Sequence, residues 1–316
     1  MSNFLVTGGG GFIGSNIVDA LLEQGHSVRV LDNFETGKRE NLDPYKGRID
    51  LIEGDLRNAD DCRRACADMD YVLHQGAYPS VQRSVEEPVM TSDTNVMGTI
   101  NILKAAVDAK IKRVVYAASS SAYGDQPKPV KDEGLLPAPL SPYAAAKLAS
   151  EYFCQCFWHS MKLETVCLRY FNVFGPRQDP MSQYSAVIPL FVTAVIAGKR
   201  PTVYGDGEQT RDFTYVANNV QANILAATTT KPVAGQVINI ACGTSYSLLD
   251  LLKAINETLG TDIKPIFEPA RIGDVKHSLA DIAKARELLG YDVSVDFNEG
   301  IRRTIAWYKE NAGRWA

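Results

Sequence analysis

An α/β architecture is expected for this chain: a doubly wound parallel sheet followed by a smaller mixed α/β domain. Three observations lead to it. Over residues 1–170, short apolar runs alternate with stretches of helical periodicity. The first run ends in a glycine-rich turn, Thr7-Gly8-Gly9-Gly10-Gly11-Phe12-Ile13-Gly14. From about residue 171 the punctuation changes, and Pro176, Pro180, Pro189, Gly198, Pro201, Gly205 and Gly207 cut the chain into short pieces. A length of 316 residues corresponds to roughly two domains. Such a chain can bury a core without disulfides or metals to staple it.

Strands are expected at Phe4–Thr7, Val28–Leu31, Asp50–Glu53, Tyr71–His74, Val114–Ala117 and Thr165–Arg169, each read as buried. Helical patterns over 12–24, 58–67, 93–109 and 143–160 lie between them. Strand-helix alternation favours parallel pairing with helices on both faces, and such sheets take ligands at the carboxyl ends of their strands. The loops opening near residues 7, 32, 55, 74, 118 and 170 are therefore the places to look for function. Helices follow at 216–228, 247–259, 280–289 and 297–310, with a strand at Val237–Ile240. Residues 1–170 are assigned to the sheet domain and 171–316 mainly to the second, with a segment near 202–225 returning to the first. The chain has no internal repeat and no low-complexity segment.

Composition excludes several classes. With 33 Lys+Arg against 37 Asp+Glu the formal net charge is −4, and no basic run exceeds two residues. A nucleic-acid footprint is missing. The longest apolar stretch, Val187–Ala197, contains Pro189 and Thr193 and is too short to span a bilayer. Met1-Ser2-Asn3 runs directly into Phe4-Leu5-Val6, with neither a basic leader nor a cleavage site. The six cysteines, at 62, 66, 154, 156, 167 and 242, have neither zinc nor redox-motif spacing. Cys62 and Cys66 lie one helical turn apart, which suits burial as small apolar groups. A reduced, cytoplasmic protein without a metal is expected.

Gly8, Gly11 and Gly14 fall in the pattern GxxGxxG between a strand and a helix. Glycine there lets the backbone approach a pyrophosphate, and the helix start offers free N–H groups and the positive end of its dipole. A turn chosen only for tight packing would use the same residues, so the surroundings decide. Asp32 stands eighteen residues after Gly14, at the end of the second strand, where a carboxylate accepts from both ribose hydroxyls of adenosine. It repels a 2′-phosphate, so NAD is expected rather than NADP; Lys38 and Arg39 are a competing signal nearby. Asp55-Leu56 ends the third strand, where Asp55 suits either the adenine or the cap of the next helix. A Rossmann-type, NAD-binding sheet follows.

Residues 141–147 read Ser-Pro-Tyr-Ala-Ala-Ala-Lys. Ser141 as N-cap and Pro142 as first helical residue put Tyr143 in the first turn, with Lys147 on the same face one turn later. A tyrosine hydroxyl, with a pKa of about 10, is a poor base at neutral pH. An ammonium, a helix N-terminus and a positively charged nicotinamide each favour its phenolate. The same spacing also suits an aromatic packing residue beside a solvated lysine. Upstream, Ser119-Ser120-Ser121 at the end of the fifth strand can hold a reacting hydroxyl, or simply satisfy the backbone of their loop.

Taken together, TGGGGFIG at 7–14, Asp32, HQGA at 74–77, Asn95, SSSAYG at 119–124, YxxxK at 143–147 and RYFNVFGPR at 169–177 resemble the extended short-chain dehydrogenase/reductase family over essentially the whole chain. The resemblance implies a catalytic triad of Ser119, Tyr143 and Lys147, with Ser119 chosen by its distance from the Tyr-Gly pair and Ser120 and Ser121 as the alternatives. It implies NAD contacts from Gly8, Gly11, Phe12, Ile13, Gly14, Asp32, Asn33, Thr36, Gly37, Asp55, Leu56, Gln75, Gly76, Ala77, Asn95, Tyr143, Lys147 and Phe171.

Within the family, the 4,6-dehydratases carry Asp-Glu after the catalytic serine or threonine, and the nucleotide-sugar decarboxylases a glutamate at the second of those positions. Here they are Ser120 and Ser121. What remains is epimerisation at C4 through a transient 4-keto sugar, and the C-terminal half is similar to UDP-sugar 4-epimerases. That resemblance implies substrate contacts from Ser80, Ser119, Ser120, Ser121 and Tyr143, and from Asn172 near the diphosphate. Arg211 in GDGEQTRDF and Arg271 in RIGDVKHS would hold phosphates, Asp274 the uridine ribose, and Val187 and Tyr204 the uridine. Ser278, five residues after Gly273, would border the sugar C2 substituent, where a small residue admits an N-acetyl group. UDP-GlcNAc/UDP-GalNAc is therefore the expected pair, with UDP-Glc/UDP-Gal as a second. The segment HQGAYPSVQRSVEEP at 74–88 is similar to the acetylated-sugar epimerases, with Pro79 as a departure. A UDP-uronic acid 4-epimerase is the alternative enzyme. A non-catalytic NAD(H)-binding regulator is the alternative outside enzymes, although such a protein would typically lose Tyr143 or Lys147. Family helices matching 93–109 and 143–160 form a homodimer interface; Ala145, Ala149, Phe153, Cys156 and Phe157 suit that interface or their own sheet.

Overall fold

Seven parallel strands form one sheet in the computed structural model, which describes residues 1–181, 186–270 and 276–314. The chain starts with β1 (Asn3–Thr7), α1 (Phe12–Glu23), β2 (Ser27–Asp32), β3 (Asp50–Glu53), α2 (Ala59–Cys66) and β4 (Tyr71–His74). It continues through α3 (Val81–Glu86), α4 (Pro88–Ser92), a π-helical turn (Asp93–Met97), α5 (Gly98–Asp108), β5 (Arg113–Ser119), β6 (Val130–Lys131), α6 (Pro142–Met161) and β7 (Thr165–Tyr170). Next come β8 (Val173–Phe174), α7 (Val187–Ile196), β9 (Thr202–Tyr204), β10 (Thr210–Arg211), β11 (Thr214–Tyr215), α8 (Val216–Thr228) and β12 (Gln236–Ile240). The last elements are β13 (Tyr246–Ser247), α9 (Leu248–Leu259), β14 (Ile266–Glu268), β15 (Leu279–Ala280), α10 (Ala283–Leu289) and α11 (Phe297–Glu310).

Across the sheet the order is β3-β2-β1-β4-β5-β7-β12. Register brings Thr7 beside both Leu31 and His74, and Ser119 beside Tyr170, so the strands end together at one edge. β5 and β7 are apolar and buried almost throughout because helices cover both faces. β3 differs from the buried strand expected at 50–53. It is the outer strand of the sheet, and Asp50, Leu51 and Glu53 are exposed there, Asp50 pairing with Arg29 and Glu53 with Arg39. The strand foreseen at 237–240 joins the main sheet as β12, parallel to β7, and α8 makes the crossover to it. The smaller strands pair outside the sheet, β8 with β11, β9 with β14, β10 with β13 and β6 with β15.

The helix expected over 93–109 begins earlier, with Pro88 in its first turn, and passes through the π turn at 93–97. That widened turn leaves the Asn95 carbonyl to accept from Thr99 Oγ1 (2.6 Å) and Ser150 Oγ (2.7 Å). The 20-residue α6 starts at Ser141, whose hydroxyl accepts from the Ala144 N–H at 3.1 Å, and ends in a left-handed Lys162. Lys147, Ser150, Glu151, Cys154 and Phe157 form its buried stripe, spaced by three and four residues. Phe157 thus faces the sheet, whereas Ala145, Phe153 and Cys156 are exposed. Glu151 pairs with Arg169 of β7 through two hydrogen bonds, at 2.7 and 2.9 Å, with both side chains buried. The pair fixes the rotation of α6 on the sheet. All six cysteines are thiols, and Cys62 and Cys66 are buried in α2. Among the described residues no helix is long and apolar enough to cross a membrane.

Candidate functional site

The turn after β1 leads into α1 through Gly11, and among the described residues no side chain caps the helix there. Its first amide groups and the positive end of its dipole are left for an anion. Gly8 has φ +67°, and a Cβ on it would lie 2.7 Å from Gly76 Cα; a Cβ on Gly14 would lie 2.1 Å from the Gly8 oxygen. Both contacts are with backbone, so no rotamer change relieves them. Tight packing and ligand approach therefore demand the same glycines. Phe12 and Ile13 are half-buried in the first helical turn.

At the end of β2, Asp32 is 7 % exposed, and its two oxygens accept from Gly10 N–H and Phe34 N–H, each at 2.8 Å. Burial raises its pKa, opposed by those two hydrogen bonds and by Arg39. Gly37 lies against the carboxylate, with Asn33 and Thr36 exposed beside it. The competing cations are occupied: Lys38 pairs with Asp179 at 2.9 Å, and Arg39 pairs with Glu53 and lies over the Phe34 ring. Asp55 does not cap the following helix. Asn58 does, accepting from Asp60 N–H at 2.9 Å, because a turn separates Asp55 from α2. Asp55 is held instead by Arg57, which keeps its carboxyl at about 2, and by Asn33 at 2.9 Å. Amides at a helix start, a buried oriented carboxylate and a backbone cradle all fit a dinucleotide.

Gln75, Gly76 and Ala77 follow β4. Gly76 N–H donates to Thr7 Oγ1 at 3.0 Å, and Leu56 packs beneath Gly76. Gln75 bonds Tyr170 and Asn223. His74, whose role the sequence did not suggest, joins these loops to α5. Thr99 gives its one proton to the Asn95 carbonyl, so His74 Nε2 must donate to Thr99 Oγ1 (3.1 Å). Nδ1 is then the acceptor of the Thr7 hydroxyl at 2.6 Å. Burial pushes the His74 pKa down to about 3, consistent with this neutral tautomer. Asn95 is buried and clasps the backbone of Tyr78 on both sides, at 2.6 and 3.1 Å. Phe171 is fully buried beside Tyr123.

Of the three serines, Ser119 is the one whose hydroxyl meets Tyr143. Its oxygen accepts from Ser121 N–H at 3.2 Å and lies 2.8 Å from Ser121 Oγ. With Ser121 donating, the Ser119 proton is left for Tyr143 or a bound hydroxyl. Burial raises the Tyr143 pKa, and the Ser119 bond lowers it. Lys147 donates to the Ala117 carbonyl at 2.9 Å and lies 5.0 Å over the Tyr116 ring.

The residues expected on the substrate side are spread over other elements. Ser80 has φ +91° and caps α3. Asn172, with φ +34°, donates to the Asp212 carbonyl at 3.2 Å. Val187 opens α7, Tyr204 closes β9 and Arg211 lies in β10. Ser278 N–H donates to Thr210 O at 3.1 Å, placing it beside Arg211. Arg271 and Asp274 lie outside the described residues.

Lys147 is 5 % exposed, and burial lowers its pKa from 10.5 to about 8. Below about pH 8 the folded protein bears the full cost of the buried ammonium, about 3 kcal/mol. Between pH 8 and 10.5 the unfolded chain keeps a proton the folded one has lost, so stability rises with pH. Urea unfolding at pH 7 should accordingly show Lys147→Met at least as stable as wild type. That difference should shrink by pH 10; a large loss of stability at pH 7 would contradict the cost assigned to the ammonium.

Residues 4–241 match the NAD dependent epimerase/dehydratase family. A putative UDP-glucose 4-epimerase of Methanocaldococcus jannaschii is 38% identical over 309 residues, covering 97% of this chain and 98% of the relative. The UDP-N-acetylglucosamine 4-epimerase of Methanobrevibacter ruminantium M1, solved with UDP-N-acetylmuramic acid, is 41% identical with a TM-score of 0.93 and 98% of each chain covered. The UDP-glucuronic acid 4-epimerase of Bacillus cereus, solved with UDP-glucuronic acid and NAD, is 32% identical with a TM-score of 0.89, covering 98% of this chain and 99% of that one. The matched span takes in the glycine turn, Asp32 and the Ser119–Tyr143–Lys147 cluster, and this chain belongs to the NAD dependent epimerase/dehydratase family.

Proposed function

We propose that the protein is a UDP-sugar 4-epimerase whose main pair is UDP-GlcNAc and UDP-GalNAc. The observation that carries the reaction is the Ser119–Tyr143 contact beside the buried Lys147. Bound NAD supplies reversible oxidation at the sugar C4. Gly8, Gly11, Gly14, Asp32 and the loops after β3 and β4 would hold it. Tyr143 takes the proton of the 4-hydroxyl and later returns it; Ser119 orients that hydroxyl, and the Lys147 ammonium favours the phenolate. Ser120 and Ser121 offer no acid-base pair for eliminating water, so the ketone can only be reduced again. Asn172 and Arg211 would bind the diphosphate and its neighbouring sugar.

For the sugar, support comes from the small Ser278 next to the diphosphate strand, together with the likeness to a UDP-N-acetylglucosamine 4-epimerase. Incubation with UDP-GlcNAc and, separately, with UDP-Glc, adding no cofactor, should yield the C4 epimers by NMR. Ser278→Tyr should lower kcat/KM for UDP-GlcNAc by about 100-fold while leaving UDP-Glc within about threefold. Turnover of UDP-glucuronic acid alone would favour the uronate reading. Retained NAD with no turnover of any UDP-sugar would point to the regulator.

The Lys147 pKa of about 8 also bears on rate. The phenolate loses its neighbouring cation as pH rises through that value, so kcat should fall on an alkaline limb near pH 8. A rate flat from pH 7 to 10 would remove Lys147 from this role.

A homodimer is proposed on the surface formed by α3, α4, the π turn and α6, where Val81, Val85, Val89, Met97, Tyr152 and Phe153 are exposed. Sedimentation should give a dimer for wild type and a folded monomer for Phe153→Asp; a wild-type monomer at about 10 μM would refute it.

A further inference from the structure

Asp212 is a fully buried carboxylate that faces no cation in hydrogen-bond reach among the described residues. It accepts three backbone N–H groups: Cys242 on Oδ1 at 2.9 Å, and Gly243 and Ala280 on Oδ2 at 3.0 and 3.3 Å. Those amides belong to two separate segments, the loop after β12 and strand β15. The adjoining strand β10 extends the same seam. Arg211 pairs with Tyr246 and Thr210 with Ser247; Thr210 N–H donates to Lys276 O and Thr210 O accepts from Ser278 N–H. On the other side, the Asp212 carbonyl accepts from Asn172 Nδ2. A single residue thus ties together the segments carrying Asn172, Arg211 and Ser278.

Only a carboxylate can do this. Its two oxygens offer about four acceptor sites, so both segments can be bound at once. An asparagine of the same shape would turn an NH₂ group towards one set of donors. Burying an anion is costly, and three amides offset the cost only while their positions are kept. The carboxylate is therefore stable in one arrangement of the surrounding loops, and that arrangement also aligns the three side chains.

We propose that Asp212 is a positioning residue that holds Asn172, Arg211 and Ser278 in register for the UDP-sugar. The proposal rests on the reading of this site as a UDP-sugar 4-epimerase and adds to it a residue that touches no ligand. Burial raises the Asp212 pKa to about 6 against the lowering effect of its three amides; a seam that gives up the amides while the carboxyl stays buried has a higher pKa still, so protonation favours the loosened seam in mild acid. Facing Asp212 are Cys242, Tyr246 and Tyr291, which burial keeps protonated, while the Arg211 guanidinium donates to the Thr210 and Lys276 carbonyls. His277, whose Nδ1 lies 3.0 Å from Thr210 Oγ1, is the imidazole on the seam and the control for it.

The test uses the NAD-bearing protein with UDP as the probe at pH 7.5. Asp212→Asn should weaken UDP binding about tenfold and raise KM for the epimerised sugar by a similar factor. With the chemistry on other elements, kcat should stay within about threefold, and NAD per chain should be unchanged. Unchanged or tighter UDP binding by the variant would overturn the proposal; tighter binding would mean that Asp212 acts only as a repulsive charge. Should the variant not fold, wild type decides. Its affinity for UDP-GlcNAc, whose diphosphate diester does not titrate there, should fall about tenfold from pH 7 to 5. His277→Gln should keep that fall, and a flat profile, or one abolished by His277→Gln, would overturn the role. Wild type that binds UDP yet epimerises no UDP-sugar would refute the reaction and leave Asp212 to be judged by UDP binding alone.

Discussion

Parallel pairing makes every strand of the central sheet end at the same edge, and the whole candidate site depends on that alignment. Thr7 and His74 are level, Asp32 lies one residue further along, and Ser119 and Tyr170 close their strands three residues further along the same edge. Groups far apart in the chain are therefore delivered to one rim on backbone held by a ladder on both sides. The rim has to admit a coenzyme without losing its packing. Gly8 against Gly76, and Gly14 against the Gly8 carbonyl, achieve this by removing side chains where two backbones meet. The helix start that would bind a pyrophosphate results from the same close approach.

Among the buried polar groups, four differ from one another in electrostatic state. His74 is neutral, its tautomer set by two threonines. Lys147 is a cation whose burial moves its titration towards working pH. Glu151 and Arg169 neutralise each other, with Arg169 also lying 4.6 Å over the Tyr123 ring. Asp212 is an anion held by backbone amides. Apolar residues would be more economical for folding in each place. What the polar groups add is direction: each bond fixes how one loop or helix sits against the next.

The coenzyme side and the substrate side differ in how they are built. Of the residues expected to face the coenzyme, those of the glycine turn and of the loops after β2, β3 and β4 sit just after strands of one sheet, while Asn95, Tyr143 and Lys147 lie on helical segments. The residues proposed to face the substrate, Asn172, Arg211 and Ser278, lie on short segments outside that sheet, joined by two-residue strands and by Asp212. The first arrangement is rigid by construction. In the second, small shifts of a seam move several of those side chains together, which would suit the proposed binding of one sugar in two orientations.

Local pattern was sufficient wherever function follows from nearest neighbours in the chain. The glycine turn, Asp32 eighteen residues on, and the Ser141-Pro142-Tyr143 start of α6 were legible because capping, periodicity and turn chemistry act over a few residues. Composition likewise marked the short, broken elements after residue 171. Long-range pairing was not legible. Nothing in Asp50–Glu53 marks it as the exposed outer strand, and nothing in Gln236–Ile240 places it beside β7, since an apolar run does not name its partner. The choice among three adjacent serines, the tautomer of His74 and the seam at Asp212 are also contacts between residues distant in sequence. The order of residues thus determined which chemical groups this protein carries and on which kind of element. Their meeting was decided in three dimensions, because hydrogen bonds and burial depend on distances that the folded sheet sets and the linear chain does not contain.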